Sequence, residues 1–245
     1  MISVVMATLD GLRYLPVQLE SVLRQLGPED ELVVSDNGST DGTLAFLEKA
    51  AAKDKRMLLL VFGSRRGVVA NYENALCHAH GDVLLLCDQD DIWLPGRVDF
   101  FRTWFVEHPR TLLLQTDAEL VDAEGRRTDE SFFYLRRSGP GLMKNFVKNG
   151  FQGCSLGFRR TLLDVALPFP TRLPMHDMWL GLLAEAAGTL RTAFSPKVLT
   201  RHRRHGENSS SLEHAAWNRV VIWRFRLFGS LLSRWPRVRR AFRGT

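Results

Sequence analysis

Over its first hundred residues the chain alternates between short apolar runs and amphipathic runs, and this alternation constrains the fold more than any other feature. "ISVVMAT" (Ile2 to Thr8), the segment around Leu32 to Val34, "MLLLVF" (Met57 to Phe62) and "DVLLLCDQDD" read as four strands rich in β-branched and aliphatic residues. Between them, "PVQLESVLRQ", "TLAFLEKAAAK" and "NYENALCHAHG" repeat apolar residues at helical spacing. Pro16 suits a first helical turn, Thr40 or Asp41 serves as N-cap of the second helix, and Gly81 reads as the stop of the third. Strands that alternate with helices predict βαβ units and an α/β fold with a doubly wound, mostly parallel sheet.

Past Gly96 the pattern changes. "RVDFFRTWFVEH" predicts a helix, "TLLLQTDAELVDAEG" a strand leading into a hairpin, and "MHDMWLGLLAEAAG" a helix with Asp177 near its start. The stretch from Ser131 to Arg160 mixes short strands with loops, and "GTLRTAFSPKVLTRHRRHGENSSS" gives a late strand and a polar loop. The chain therefore reads as one catalytic unit over 1–212, with halves 1–96 and 97–212, followed by a helical tail over 213–245.

Charge separates that tail from the rest. The 245-residue chain carries +6, yet from Ala215 onward there are eight arginines and no acid. Taking the tail's +8 from +6 leaves about −2 for the remainder, so nucleic acid is not expected as a partner. The tail interleaves Trp217, Trp223, Phe225, Phe228, Leu231, Leu232 and Trp235 with arginine and is expected to break at Pro236. A basic, aromatic, amphipathic segment suits an anionic membrane surface, and a helix packed on the catalytic unit is the competing reading. No apolar run is long enough to span a bilayer, and "MISVVMATLDG" lacks the basic start of a signal peptide. Cys77, Cys87 and Cys154 lie far apart without metal-binding spacing and are expected to be buried free thiols rather than zinc ligands.

Ligands of open parallel sheets bind beyond the carboxyl ends of the strands. Three polar segments fall there: "ATLDG", "SDNGSTDGT" and "DQDD". Asp36, at the tip of the second strand, is placed to accept from a ribose hydroxyl or a pyrimidine N–H, while Asp41 serves the turn. Asp88, Asp90 and Asp91 end a four-residue apolar run. One such acid is explained by a helix cap; three together suit Mg²⁺ or Mn²⁺ held jointly with substrate phosphates. "NGFQGCSLGFRR" is punctuated by glycine, with Gly153 allowing close backbone approach and Gln152 a candidate sugar contact.

Taken in order, "SVVMATLDGLRYLPVQLESVLRQ", "ELVVSDNGSTDGT", "DQDDIWLP", "HDMW" and "HRRHGENSSS" resemble family 2 glycosyltransferases of the Rossmann-like GT-A fold, over about residues 1 to 210. The forms "DQDDIW" and "HDMW" resemble those of bacterial rhamnosyltransferases of polysaccharide and O-antigen assembly. The resemblance implies that Thr8 and Asp10 lie in the nucleotide-binding loop and that Asp36 holds the base or ribose. It makes Asp88 and Asp90 the DxD pair, with Asp90 the direct metal ligand and Asp88 reaching the ribose or the metal's water shell. Asp91 touches the sugar or caps the next helix. Asp177 matches the general base, and His205 a late histidine joining the metal–diphosphate site. Leu9-Asp10 departs from the aromatic-Asn usual in relatives, which bears on base recognition and not on the fold.

The chemistry that follows is inverting transfer from a dTDP- or UDP-linked sugar to an acceptor expected to be lipid-linked. His202, Arg203, Arg204 and His205 form a cationic cluster for the leaving diphosphate, Arg204 being placed among the donor contacts. His176 and Trp179 flank Asp177, and Trp179 is either an acceptor platform or core. The enzyme is expected in the cytoplasm, peripheral on the inner face of the membrane. A nucleotidyltransferase is the alternative within the fold class, but "ATLDGLRYLP" lacks a glycine-rich phosphate loop; a catalytically inactive binding module is the alternative outside it.

Overall fold

The computed structural model describes residues 1–63, 67–206 and 217–243, with the side chains of 129–130 and 217–221 left aside. Within them, β1 (Ile2–Thr8), α1 (Leu15–Leu23), β2 (Glu31–Asp36), α2 (Thr43–Ala51), β3 (Met57–Val61), α3 (Val68–Cys77) and β4 (Val83–Asp88) alternate as the sequence predicts. Next come β5 (Ile92–Trp93), α4 (Arg97–Glu107), β6 (Leu113–Val121), β7 (Arg127–Ser131) and two short helices, α5 (Phe132–Arg136) and α6 (Leu142–Val147). A turn of 3₁₀ helix at Gly153–Ser155 leads to β8 (Leu156–Arg159), α7 (Leu163–Ala166), α8 (His176–Ala186), β9 (Thr192–Arg203) and α9 (Trp217–Ala241).

The strands form one sheet in the order β3-β2-β1-β4-β8-β6-β9-β5, with β7 paired to β6. β3, β2, β1 and β4 are mutually parallel, β8 is antiparallel to both its neighbours, and β9 runs parallel to β6 and antiparallel to β5. The sheet is doubly wound because alternate residues of one strand feed opposite cores. Val4 and Met6 pack with Leu19, Leu47 and Phe101 from α1, α2 and α4, whereas Val5 and Ala7 pack with Leu76, Leu163 and Leu182 from α3, α7 and α8. With helices on both faces, the parallel strands can be apolar along their whole length, as β1 is.

Strand order also locates the site. The chain winds from β1 out to β3 and then returns to place β4 on the other side of β1. The carboxyl ends of β1 and β4 therefore flank the point where the winding reverses, the usual ligand crevice of an open sheet. Register brings Thr8 opposite Asp36 and Ala7 opposite Asp88 there.

Several boundaries differ from the sequence reading. α3 ends at Cys77 with His78 as its cap, so Gly81 is not its stop. A Cβ at Gly81 would lie 2.5 Å from the Ser3 backbone nitrogen, so glycine is required by the approach of β1. The N-cap position of α2 is Gly42, and Asp41 supports it by accepting from Thr43 N. Cys87 and Cys154 are buried, but Cys77 is exposed. Pro236 does not break the tail: α9 runs through it as one helix of 25 residues.

The tail is neither a free anchor nor a fully buried helix. Leu227, Val238 and Phe242 join the core formed with α7 and α8, and Val238 is only 1% exposed. Arg224 donates to Val147 O and Arg234 to Pro168 O, while Arg191 donates to Phe242 O. The opposite side of α9 keeps Ile222, Phe225, Phe228, Leu232 and Trp235 in solvent. Deleting residues 217–245 is expected to strip the cover from α7 and α8. Each buried aliphatic or aromatic side chain lost forfeits roughly 1.5–3 kcal/mol. The truncated chain should melt well below the full chain or aggregate, in a thermal melt read beside sedimentation; an unchanged melting temperature would show that α9 contributes nothing to the fold.

Candidate active site

At the end of β2, Asp36 is fully buried and its carboxylate is saturated. Thr8 Oγ1 and Ser39 Oγ donate to Oδ2 at 2.8 and 2.6 Å, and the backbone N–H groups of Gly38 and Ser39 donate to Oδ1 at 3.0 and 2.8 Å. A carboxylate offers about four lone-pair sites. As placed, Asp36 shapes the loop around the crevice. Asp10, with φ +45°, stitches the β1 loop to the β2 loop: its Oδ1 accepts from Thr40 N at 2.7 Å and its own N–H donates to Ser39 Oγ at 2.9 Å.

The acidic tip of β4 divides into three roles. Asp88 accepts from Tyr72 Oη at 2.6 Å, and the same hydroxyl lies 2.8 Å from Cys87 O. Asp90 Oδ2 lies 2.8 Å from His205 Nε2. Asp91 is 1% exposed, and its Oδ1 lies 3.0 Å from His202 Nδ1 and accepts from Arg203 N at 2.9 Å. Asp91 thus fastens the aspartate loop to the end of β9; a sugar contact or a helix cap from it does not fit a carboxylate enclosed in this way. Arg203 donates from Nε to Asp90 O, and its guanidinium lies 4.8 Å from the Tyr14 ring centre. The His205 ring also meets Tyr14, centre to centre at 4.8 Å. Arg204 is fixed through its backbone N–H on Val121 O.

Crowding of the three acids shows in their proton affinities. Burial, then the charges of Asp91 and Asp90, push Asp88 up to about 7. Burial and the Asp91 charge also raise Asp90, against the pull of His205. Burial alone would raise Asp91 too, but the charge and hydrogen bond of His202 outweigh it and hold Asp91 below its ordinary value. Its partner is correspondingly raised: burial disfavours a charged His202, and Asp91 overcomes that.

Asp177 occupies the first turn of α8, where its Oδ1 accepts from Met178 N at 2.6 Å. A helix N-terminus favours the charged form. Burial wins: it lifts Asp177 to about 6 despite backbone hydrogen bonds from Met178 and Gly153 and one from the Asn149 side chain. The neighbouring His176 is buried, stacked on Tyr72 with ring centres 4.0 Å apart, and burial lowers it to about 3. One tyrosine ring therefore separates the start of α8 from Asp88. The 3₁₀ turn makes a second connection. A Cβ at Gly153 would meet His176 Nε2 at 3.1 Å and Asp177 Cβ at 3.9 Å, while Cys154 Sγ lies 3.7 Å from His202 Nδ1. A side chain at Gly153 would crowd the His176 ring at the start of α8. Trp179 is not an acceptor platform: it is fully buried, with its indole N–H donated to Ala166 O.

The residues fit a divalent cation of the Mg²⁺ or Mn²⁺ type. Asp90 and His205 present an oxygen and a nitrogen side by side, in a buried cluster where burial first, and neighbouring acids second, raise Asp88 and Asp90. Buried polar atoms normally find partners, yet the carboxylate oxygen Asp91 Oδ2 has none among the described residues. Asp91, Cys154 and His202 also bring their ligand atoms within 4.8 Å of one another, so Cys154 is not remote from metal-competent groups as its spacing suggests. Burial keeps that thiol protonated, and Asp91 and His202 are engaged with each other.

Two contributors escaped the sequence reading. Gln89 bridges the aspartate loop to the β1 loop, accepting from Leu9 N and donating to Leu9 O, both at 2.9 Å. Tyr72 looks like one more core position of α3, and only the fold reveals that its hydroxyl reaches Asp88. Residues 207–211 of "HRRHGENSSS" lie outside the described residues.

The description Glycosyl transferase family 2 matches residues 3–166. An uncharacterized glycosyltransferase of Nostoc sp. is 24% identical over 223 residues, covering 85% of this chain and 66% of that protein. The glucosyltransferase WfgD of Escherichia coli, named for UDP-Glc and α-D-GlcNAc-diphosphoundecaprenol, is 27% identical over 190 residues, 76% of this chain and 70% of its own. The chain spans 46–66% of the length of the first curated relatives it matches. Among solved structures, S. aureus TarS in complex with UDP-GlcNAc superposes with a TM-score of 0.74 at 20% identity, over 98% of this chain and 70% of that one. Mannosyltransferase PcManGT from Pyrobaculum calidifontis, in complex with GDP-Man and Mn²⁺, gives 0.64 at 19% identity, over 98% and 73%.

Proposed function

The chain belongs to glycosyl transferase family 2, and from that premise we propose an inverting, metal-dependent transfer of a sugar from a nucleoside-diphosphate donor to a hydroxyl of a growing bacterial surface glycan. The observation that carries this reading is the meeting of Asp90, at the tip of β4, with His205 just beyond β9, and the link of that tip to the start of α8 through Tyr72 and Gly153. Asp90 and His205 would hold the cation, which would supply positive charge against that growing on the diphosphate. Arg203 and Arg204, carried on and just beyond β9, add fixed positive charge to the same side. The acceptor oxygen bonds to the anomeric carbon as the bond from that carbon to the diphosphate oxygen breaks. Asp177 takes the acceptor's proton, and the diphosphate leaves with the bonding electrons. One displacement inverts the anomeric centre.

The donor is taken as UDP- or dTDP-linked, with rhamnose the leading sugar on the strength of "DQDDIW" and "HDMW". The names of TarS, PcManGT and WfgD support a nucleotide sugar, and that of WfgD supports an acceptor carried on a lipid diphosphate. No helix among the described residues is long and apolar enough to cross a membrane. In this reading the exposed apolar face of α9 and its arginines hold the enzyme at the inner face of the cytoplasmic membrane.

A panel of sugar nucleotides tested by thermal shift, with and without Mn²⁺, checks the proposal. The true donor should raise the melting temperature only with the metal, because a ligand of the native state stabilises it by mass action. Product analysis then separates sugar transfer from nucleotidyl transfer. A shift independent of Mn²⁺ for every donor, or a nucleotidyl product, would reject it.

A further inference from the structure

α9 and the loop ahead of α8 enclose an open groove of about 990 Å³ with no part in the donor site. Four arginines line it, Arg172 from the loop and Arg226, Arg234 and Arg237 from α9, along with Ser230 and Ser233, and no acid is among its lining residues. The helix residues recur at intervals of three to four, so they share one face. Arg234 is anchored on Pro168 O at 2.7 Å. Burial and the neighbouring charge of Arg237 both weaken its hold on its proton, as expected where cations gather without a counter-charge. Arg172 holds φ +63°, a left-handed backbone that favours glycine.

We propose that this groove binds the diphosphate of a polyprenyl-linked acceptor, an inference that rests on the lipid-linked reading above. Three features favour a diphosphate. Guanidinium forks match phosphate oxygens in pairs, and the two serine hydroxyls, which donate to Arg226 O and Ser230 O within α9, leave that task to the arginines. The space is concave and of ligand size (pockets run about 300–1,000 Å³), whereas diffuse attraction to a bilayer needs only a flat basic face. Beside Gly229 on α9, Phe225 and Leu232 stand in solvent, Phe225 being 74% exposed, and offer an apolar patch for the prenyl chain. Position fits as well. Arg172 precedes Asp177 by five residues, and five residues span at most about 18 Å. A diphosphate on Arg172 thus leaves an acceptor hydroxyl within reach of Asp177 across a short oligosaccharide.

Farnesyl diphosphate, inorganic pyrophosphate and vesicles of phosphatidylcholine with phosphatidylglycerol serve as probes, titrated against the full chain and the double variant Arg172→Gln/Arg237→Gln. The full chain should bind farnesyl diphosphate, with pyrophosphate weaker. The double variant should bind farnesyl diphosphate at least tenfold more weakly while keeping its melting temperature. Equal binding by both proteins, or none by the full chain, overturns the proposal. So does a variant that loses the vesicles although farnesyl diphosphate never bound, which would assign the arginines to lipid headgroups. Binding is read without turnover, and the Mn²⁺-dependent donor shift is measured on the same two proteins. Loss of that shift in both counts against the glycosyltransferase reading; its retention with no farnesyl diphosphate binding counts against the groove alone.

Discussion

Asp90→Ala is expected to abolish sugar transfer and to remove the Mn²⁺-dependent part of donor stabilisation, while the protein stays folded. Asp90 supplies the oxygen beside His205 Nε2, and no other carboxylate occupies that position: Asp88 is turned to Tyr72, and Asp91 is enclosed with His202 and the Arg203 backbone. The cation supplies several kcal/mol of charge stabilisation, so its loss should slow turnover by roughly 10²–10³-fold or more. Folding should survive for an electrostatic reason. Asp90 is raised by burial and by Asp91, so its charge is a strain on the cluster as well as a partner for His205. Removing it takes away one of the charges that push Asp88 up. Mn²⁺ titration of the variant by thermal shift, with and without donor, reads the metal coupling apart from the rate. Full metal-dependent turnover in the variant would move the metal site elsewhere.

The parallel half of the molecule was legible because its information is local. Each of β1, β2 and β3 is followed by its own amphipathic helix, and the polar residues at the carboxyl ends of β1, β2 and β4 fall at the crevice by topology alone. The second half resisted because its pairings are distant. β8 has four residues and β5 two, and each gains strand character from partners far along the chain. For the same reason "DQDD" showed that a cationic partner was needed without showing which acid takes which one. That division depends on β9 delivering His202 and His205 more than a hundred residues later. Gln89 was in plain view inside the motif, but its bridge to Leu9 spans 80 positions. Pro236 misled because helix propensity is a local rule: Val238 and Phe242, beyond the proline, are held in the core and keep the helix going.

Asp177→Asn is expected to lower kcat by roughly 10²-fold or more with little change in donor affinity, and at the same time to leave the protein as stable as before or more stable at pH 8. The two halves of this result come from the same burial. Burial raises Asp177 from 3.8 to about 6, which places its proton affinity where a general base works. The folded protein therefore binds this proton more tightly than the unfolded chain does. The stability Asp177 contributes is fully present below pH 3.8 and is lost as pH climbs to about 6; above that, the charged carboxylate is a burden. At about 1.36 kcal/mol per unit the burden is at most about 3 kcal/mol, less the share still solvated. Asparagine carries no charge and keeps a carbonyl oxygen for Met178 N, so it removes the burden and retains the first-turn contact. The rate profile gives an independent reading: wild-type kcat should fall as pH drops through about 6, and the residual rate of the variant should lack that limb. A residue that merely capped α8 would give another pattern, with a near-normal kcat, an unchanged pH profile and stability at or below wild type. Turnover and melting temperature of the two proteins, measured from pH 5 to 8, decide between a base held in an unfavourable place for its chemistry and an acid that only begins a helix.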